Sequence, residues 1–209
     1  MVTEQIVRRG VRDPRVLAAM RQVPRHEFLP EDARRYAYVD SALKIANGQT
    51  ISQPYIVALM SELLDVRPED EVLDVGTGSG YQAAILAVLA REVHTIERIP
   101  ALAEAARETL AALGYDNIRV HLGDGSLGYP EAAPYDRIMV AAAAPEVPPA
   151  LFAQLAEGGR LVIPVGSRTL QHLEIWDVEN GEFKKANSIP VVFVPLIGAG
   201  GWKNEVSEV

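Results

Sequence analysis

A run of eight residues, Asp74-Val75-Gly76-Thr77-Gly78-Ser79-Gly80-Tyr81, constrains this chain more than any other segment. It follows the apolar pair Val72-Leu73 and precedes a helix-like stretch over residues 82–90. A strand that breaks into glycines and then opens a helix lets backbone approach a bound nucleotide closely. The glycines alternate, at Gly76, Gly78 and Gly80. The dinucleotide fingerprint Gly-x-Gly-x-x-Gly would place its last glycine at Tyr81. A phosphate-cradling loop ends in Gly-Lys-Ser/Thr, and the run holds no lysine. The spacing therefore points to an adenosine-type ligand without a pyrophosphate.

The surrounding pattern predicts strands at 72–75, 93–96, 118–122, 137–140 and 161–165. Between them lie helical stretches at 82–90, 101–113 and 149–155, the middle one starting at Pro100 and stopped by Gly114. Gly158-Gly159 is expected to close the last of these helices. Repeated strand–helix units predict a parallel sheet with helices on both faces. The end of the chain differs. Residues 170–178, Asn180-Gly181 and a strand-rich return to Leu196 read as a hairpin with a type I′ turn. The fold class is thus α/β, a Rossmann-like, mostly parallel sheet with a C-terminal antiparallel hairpin, as in class I methyltransferases.

Ahead of the sheet, residues 1–68 read as a helical region packed on the core, on the substrate side. Asp13-Pro14 starts one helix, with Val16, Leu17 and Met20 on its apolar face. A second begins near Pro54, where Ile56, Leu59, Met60, Leu63 and Leu64 share a face. Residues 69–202 form the expected ligand-binding α/β unit, and 203–209 a charged tail.

Composition narrows the function. The 209 residues carry a net charge of −8, which argues against a nucleic-acid grip. With no cysteine, disulfides, thiolate nucleophiles and cysteine zinc sites are excluded. The four histidines, His26, His94, His121 and His172, show no metal-ligand spacing, and no metal is expected. No stretch reaches the length of a membrane span, and no signal peptide is evident, so a cytoplasmic, monomeric protein without membrane or nucleic-acid partners is expected.

Glu97 ends the second predicted strand, about twenty residues beyond the glycine run, where an acid accepts from ribose hydroxyls. Gly123-Asp124-Gly125 follows the third strand, and an acid there suits an adenine amino group. All three features fall at the carboxyl ends of consecutive strands, where open α/β sheets bind ligands. Methyl transfer from a sulfonium to a carboxylate suits this sparse equipment. The nucleophile is already ionised near neutral pH, the leaving group is a neutral thioether, and no general base is needed.

The segment Gly48-Gln49-Thr50-Ile51-Ser52-Gln53-Pro54-Tyr55, together with the glycine run, closely resembles the protein-L-isoaspartate O-methyltransferase family. Val23-Pro24-Arg25-His26-Glu27-Phe28-Leu29-Pro30, Gly123-Asp124-Gly125, Pro145-Glu146-Val147-Pro148 and Phe193-Val194-Pro195-Leu196 extend the match in family order. The resemblance implies S-adenosyl-L-methionine as cofactor and isoaspartyl-containing proteins and peptides as substrates. Their free α-carboxylate is esterified, and collapse to a succinimide begins repair. It also implies that Ser52 is the active-site serine, positioning that carboxylate. Gln49, Thr50 and Ile51 would wall the cofactor beside Gly76, Thr77, Gly78, Ser79 and Gly80. Glu97, with Arg98 next to it, would hold the ribose, and Asp124 with Gly125 would meet the adenine. A purely structural role for Ser52 is to cap the Pro54 helix.

The chain departs from the family in two places. Where relatives commonly read Pro-Leu-Pro-Ile-Gly, this sequence has Ala42-Leu43-Lys44-Ile45-Ala46-Asn47 before Gly48, which leaves the loop less preordered. Ala141 and Ala144 stand where a threonine and a proline are common. These changes keep two alternatives in view: a carboxyl methyltransferase for a dedicated peptide partner, and a cofactor-binding paralogue without turnover.

Overall fold

The alternation of apolar strands and helices from residue 71 onward builds one seven-stranded sheet. The structure is a computed structural model and describes residues 1–203. The charged tail, from residue 204 on, lies outside the described residues. Two short strands, β1 (Leu43–Lys44) and β2 (Thr50–Ile51), pair antiparallel ahead of the main sheet. The sheet itself comprises β3 (Glu71–Val75), β4 (Glu92–Glu97), β5 (Ile118–Leu122), β6 (Tyr135–Val140), β7 (Leu155–Gly166), β8 (Gln171–Glu179) and β9 (Glu182–Val191). Their spatial order is β5-β4-β3-β6-β7-β8-β9. Strands β3 to β7 run parallel and β8 and β9 antiparallel, so the C-terminal hairpin extends the sheet at one edge. The chain builds outward from β3 to β5, then returns to add β6 beside β3. That reversal opens a crevice at the strands' carboxyl ends.

Neighbouring residues along the central strands face opposite cores, as a sheet buried on both sides requires. Val72, Val93, Met139 and Val162 meet Met20 of α1 (Pro14–Gln22), Leu64 of α2 (Pro54–Leu64) and Ile85 of α3 (Tyr81–Leu89). Leu110 of α4 (Pro100–Ala112) joins the same core. Leu73, Val75, Ile138, Val140, Leu161 and Ile163 face the other, with Leu151 of the short α5 (Pro149–Ala153). The Asp13 carboxylate accepts from the Arg15 amide at 2.7 Å and caps α1.

Three local details differ from the sequence reading. Gly158-Gly159 does not end a helix; β7 runs through both glycines. Tyr135 pairs with Leu155 and Arg137 with Arg160, so residues 156–159 bulge from the ladder, with Gly158 at φ 75°. Ser52 does not cap α2; Gln53 holds the cap position without a side-chain cap bond, and Asp40 Oδ1 accepts from the Tyr55 amide instead. The β1–β2 pair was not anticipated from the irregular N-terminal third. The Asn180-Gly181 turn has φ 55° and 73°, the positive pair a type I′ turn needs.

Candidate active site

At the carboxyl end of β3 the chain turns through Gly76, Gly78 and Gly80 with φ of 98°, 52° and 88°, a conformation that residues with a Cβ adopt rarely. The Gly76 amide donates to the Ile96 carbonyl at 3.0 Å, tying the turn to β4. From the end of β4, Glu97 reaches back and is 6% exposed. Its Oε2 accepts from the Gly78 amide at 2.9 Å and its Oε1 from Ile99 at 3.0 Å. The carboxylate is thereby fixed, while each oxygen retains a lone pair for a ligand hydroxyl. Gly125 forms part of the floor; a Cβ there would lie 2.6 Å from Val75 Cγ1, so the close approach requires glycine.

The resulting cleft is lined by Gln49 to Ser52, Val75 to Ser79, Ile96 to Ile99, Gly125, Ala141-Ala142 and the 194–197 segment. A second cleft lies beside it, with Arg9, Asp40, Ser41, Gln53 and residues 190–194 in its wall. Thr50, Ser52, Ala141 and Val194 line both. A ligand in one cleft therefore meets a ligand in the other across these four residues.

The segment carrying Ser52 is anchored from below. Arg25 is fully buried; its Nη2 donates to the Ser52 carbonyl at 2.8 Å and its Nε to the Ala37 carbonyl at 2.8 Å. Its guanidinium lies 4.8 Å from the centre of the Tyr81 ring, and burial lowers its pKa. Among the described residues the Ser52 hydroxyl has no hydrogen-bond partner, so it is free to meet a ligand. Beneath the glycine turn, Asp74 is fully buried and bonded by Thr95 Oγ1 at 2.8 Å, while its Oδ1 has no partner. Burial pushes its pKa up to about 7, against the opposing bond from Thr95.

A family model described as Protein-L-isoaspartate(D-aspartate) O-methyltransferase (PCMT) matches residues 1–201. The chain belongs to this family. A protein-L-isoaspartate O-methyltransferase of Methanoregula boonei is 57% identical over 204 residues, 98% of this chain and 94% of its own. Its namesake in Methanoculleus marisnigri is 55% identical over 207 residues, covering 99% and 94%. Among solved structures, one from Plasmodium falciparum, described as a beta-aspartate methyltransferase (PCMT) in complex with S-adenosyl-L-homocysteine, superposes with TM-score 0.81. It is 30% identical and covers 94% of this chain and 96% of its own.

The structure brings most of the sequence-selected residues to the first cleft: Gln49, Thr50, Ile51, Ser52, Gly76, Thr77, Gly78, Ser79, Glu97, Arg98 and Gly125. Two stand apart. Gly80 caps α3 and faces α4, where a Cβ would press on Leu110 at 3.3 Å. Asp124 lies outside the first cleft, in a separate, more open pocket with Arg98, Ile197 and Trp202. Its Oδ1 accepts from Ser126 at 2.9 Å and its Oδ2 from the Ala199 amide at 2.7 Å. Burial raises its pKa, but the bonds from Ser126 and Ala199 outweigh this and hold it below the usual carboxylate value.

Sequence reasoning gave no role to Arg25, Asp40 or Ala142. Arg25 carried a signal, a charged residue set between Val23-Pro24 and Phe28-Leu29, but its partner carbonyls belong to residues 12 and 27 positions away.

Proposed function

We propose that Ser52 and the residues around the two clefts carry out the family's reaction on this chain: methylation of the α-carboxylate of L-isoaspartyl residues in damaged proteins and peptides. The observation that carries the reading is the shared wall of Thr50, Ser52, Ala141 and Val194, where a cofactor cleft meets a second, open one.

The first cleft suits S-adenosyl-L-methionine in its chemistry. Its polar lining is Gln49, Thr50, Ser52, Thr77, Ser79, Gln82, Glu97 and Arg98, with Arg98 the one cation among the described lining residues. A pyrophosphate asks for more positive charge, whereas a ribose diol asks for an acid such as Glu97. Glu97 and Arg98 would hold the ribose, Gly76 to Ser79 would let backbone close on the ligand, and Gln49 to Ile51 would wall it. Asp124, facing its own loop, supports the adenine end by fixing Gly125. When bound, the cofactor supplies a methyl group to one carboxylate oxygen as its carbon–sulfur bond breaks.

The chain's own task is placement. Ser52 donates its hydroxyl to the substrate carboxylate and leaves the other oxygen directed at the first cleft. Arg25 holds the Ser52 backbone while this happens. Charge is lost as carboxylate and sulfonium combine, so a cleft walled by Ile51, Ala141 and Val194 favours the transition state over the separated ions.

We assign residues 1–68 to the substrate side, because Arg9, Asp40, Ser41 and Gln53 line the second cleft. The net charge of −8 supports a protein partner rather than nucleic acid or an anionic membrane. Among the described residues no helix is long and apolar enough to cross a membrane. A cytoplasmic monomer is the working form we propose. Labelled cofactor offered with an isoaspartyl peptide and its aspartyl twin tests the function: label enters the first alone, and equal or absent labelling of the two contradicts it.

A further inference from the structure

At the opposite end of the sheet from the clefts, the parallel register sets two carboxylates side by side. Glu71, the first residue of β3, pairs with Glu92, the first residue of β4. Like charges in directly opposed positions repel and favour a cation between them. Two residues along β4, on the same face as Glu92, stands His94, which is 8% exposed. One ligand atom from each of Glu71, Glu92 and His94 lies within 4.8 Å of the others.

Three details of this cluster point the same way. His94 Nε2 is 3.4 Å from Glu71 Oε1, long for a charge-assisted hydrogen bond of about 2.7–2.9 Å. Bonds of about 2.0–2.1 Å to a tetrahedral zinc ion set neighbouring ligand atoms about 3.3 Å apart, which is that separation. The arginines that flank the pair leave a ligand oxygen on each acid. Arg91 takes Glu71 Oε2 at 2.8 Å, and Arg119 takes Glu92 Oε1 at 3.2 Å. Finally, the far nitrogen of His94 is already engaged: its Nδ1 lies 3.0 Å from His121 Nε2, and the two rings stack 5.2 Å apart at 4°. Metal-bound histidines are oriented by such a bond on the other ring nitrogen.

We propose that Glu71, Glu92 and His94 form a divalent transition-metal site, selective for Zn2+ over Mg2+ through its imidazole ligand, with His121 orienting His94 and water completing the tetrahedron. Glu71 and Glu92 stand on different strands and meet only through the sheet register, which is why no ligand spacing is visible in the sequence. Ligation clamps the amino ends of β3 and β4 together, far from the methyl-transfer clefts, so its effect falls on stability and not on the chemistry.

Chelator-treated full-length protein, dialysed against Zn2+ and measured by atomic emission, tests the site. The expected result is one tightly held ion per chain and a higher unfolding temperature with zinc than with magnesium. Glu92→Gln, at a partly exposed position that tolerates the change, lowers zinc affinity at least about tenfold, and His121→Asn lowers it about tenfold. His26→Gln, which removes a separate histidine–glutamate contact, with Glu27 at 3.2 Å, leaves binding unchanged. Less than one ion at saturation, wild-type affinity in Glu92→Gln, or loss of the ion in His26→Gln overturns the assignment.

Discussion

At the residue scale, three side chains carry most of the argument. Ser52 is the group whose hydroxyl is left free at the junction of the clefts. A hydrogen bond to a charged partner is worth about 1.5–3 kcal/mol, so Ser52→Ala lowers kcat about 10- to 100-fold. Binding of S-adenosylhomocysteine, followed by calorimetry, stays close to wild type, because in the proposed mechanism the hydroxyl serves the carboxylate and not the nucleoside. Arg25 holds two carbonyls, that of Ala37 in the buried interior and that of Ser52 at the edge of the clefts. Arg25→Met leaves both without their donor and costs about 2 kcal/mol or more in denaturant unfolding, with a fall in kcat as the Ser52 segment loosens. A variant as stable and active as wild type contradicts that role. Asp74 provides a pH signature. Its folded pKa, about 7, lies above the ordinary 3.8, so the folded state binds more protons than the unfolded chain between these values. The stability this group contributes is complete below pH ~4 and is lost as pH rises through about 7. Asp74→Asn removes that component, and an unchanged slope of unfolding free energy across this window rules the assignment out.

At the scale of elements, the β1–β2 pair explains how the loop copes without its usual prolines. Ile45 N donates to Gln49 O at 2.9 Å, which makes 45 and 49 a hydrogen-bonded pair, and Lys44 opposite Thr50 a non-bonded one. The Lys44 amide is therefore outside the ladder, and Lys44→Pro is compatible with it. Restoring this proline raises stability by about 0.4–1 kcal/mol, measured as a shift in denaturant midpoint; a loss of comparable size refutes the reading. The alanines at the end of β6 also find their reason here. The Ala143 amide donates to Val194 O and the Leu196 amide to Ala143 O, both at 2.8 Å, so backbone supplies the bonds that side chains at 141–144 do not. The strands, α4 and the hairpin were legible because each rests on local pattern: short apolar runs, Pro100 and Gly114, Asn180-Gly181. The β7 bulge was not. Gly158-Gly159 reads as a helix stop until the pairing of Leu155 with Tyr135, set by the sheet, is known.

Across the whole molecule, the two clefts lie where the N-terminal region and the sheet's carboxyl edge meet. The first cleft was legible because the glycine run, Glu97 and Gly125 sit at strand ends that the topology must bring together. The second cleft was legible only through Ser52 and its neighbours, since it draws on residues as distant as Arg9 and Phe193. Asp124 shows the limit of position alone: its place after β5 was readable, whereas its engagement by Ala199 depends on how the last segment folds back. The most direct test of the account is a time course of an isoaspartyl peptide with this protein and S-adenosyl-L-methionine, followed by chromatography beside its aspartyl twin. The isoaspartyl form is expected to be esterified, to pass through succinimide and to accumulate as the aspartyl form over repeated cycles, while the twin is untouched. Methylation of both peptides alike, or of neither, contradicts it.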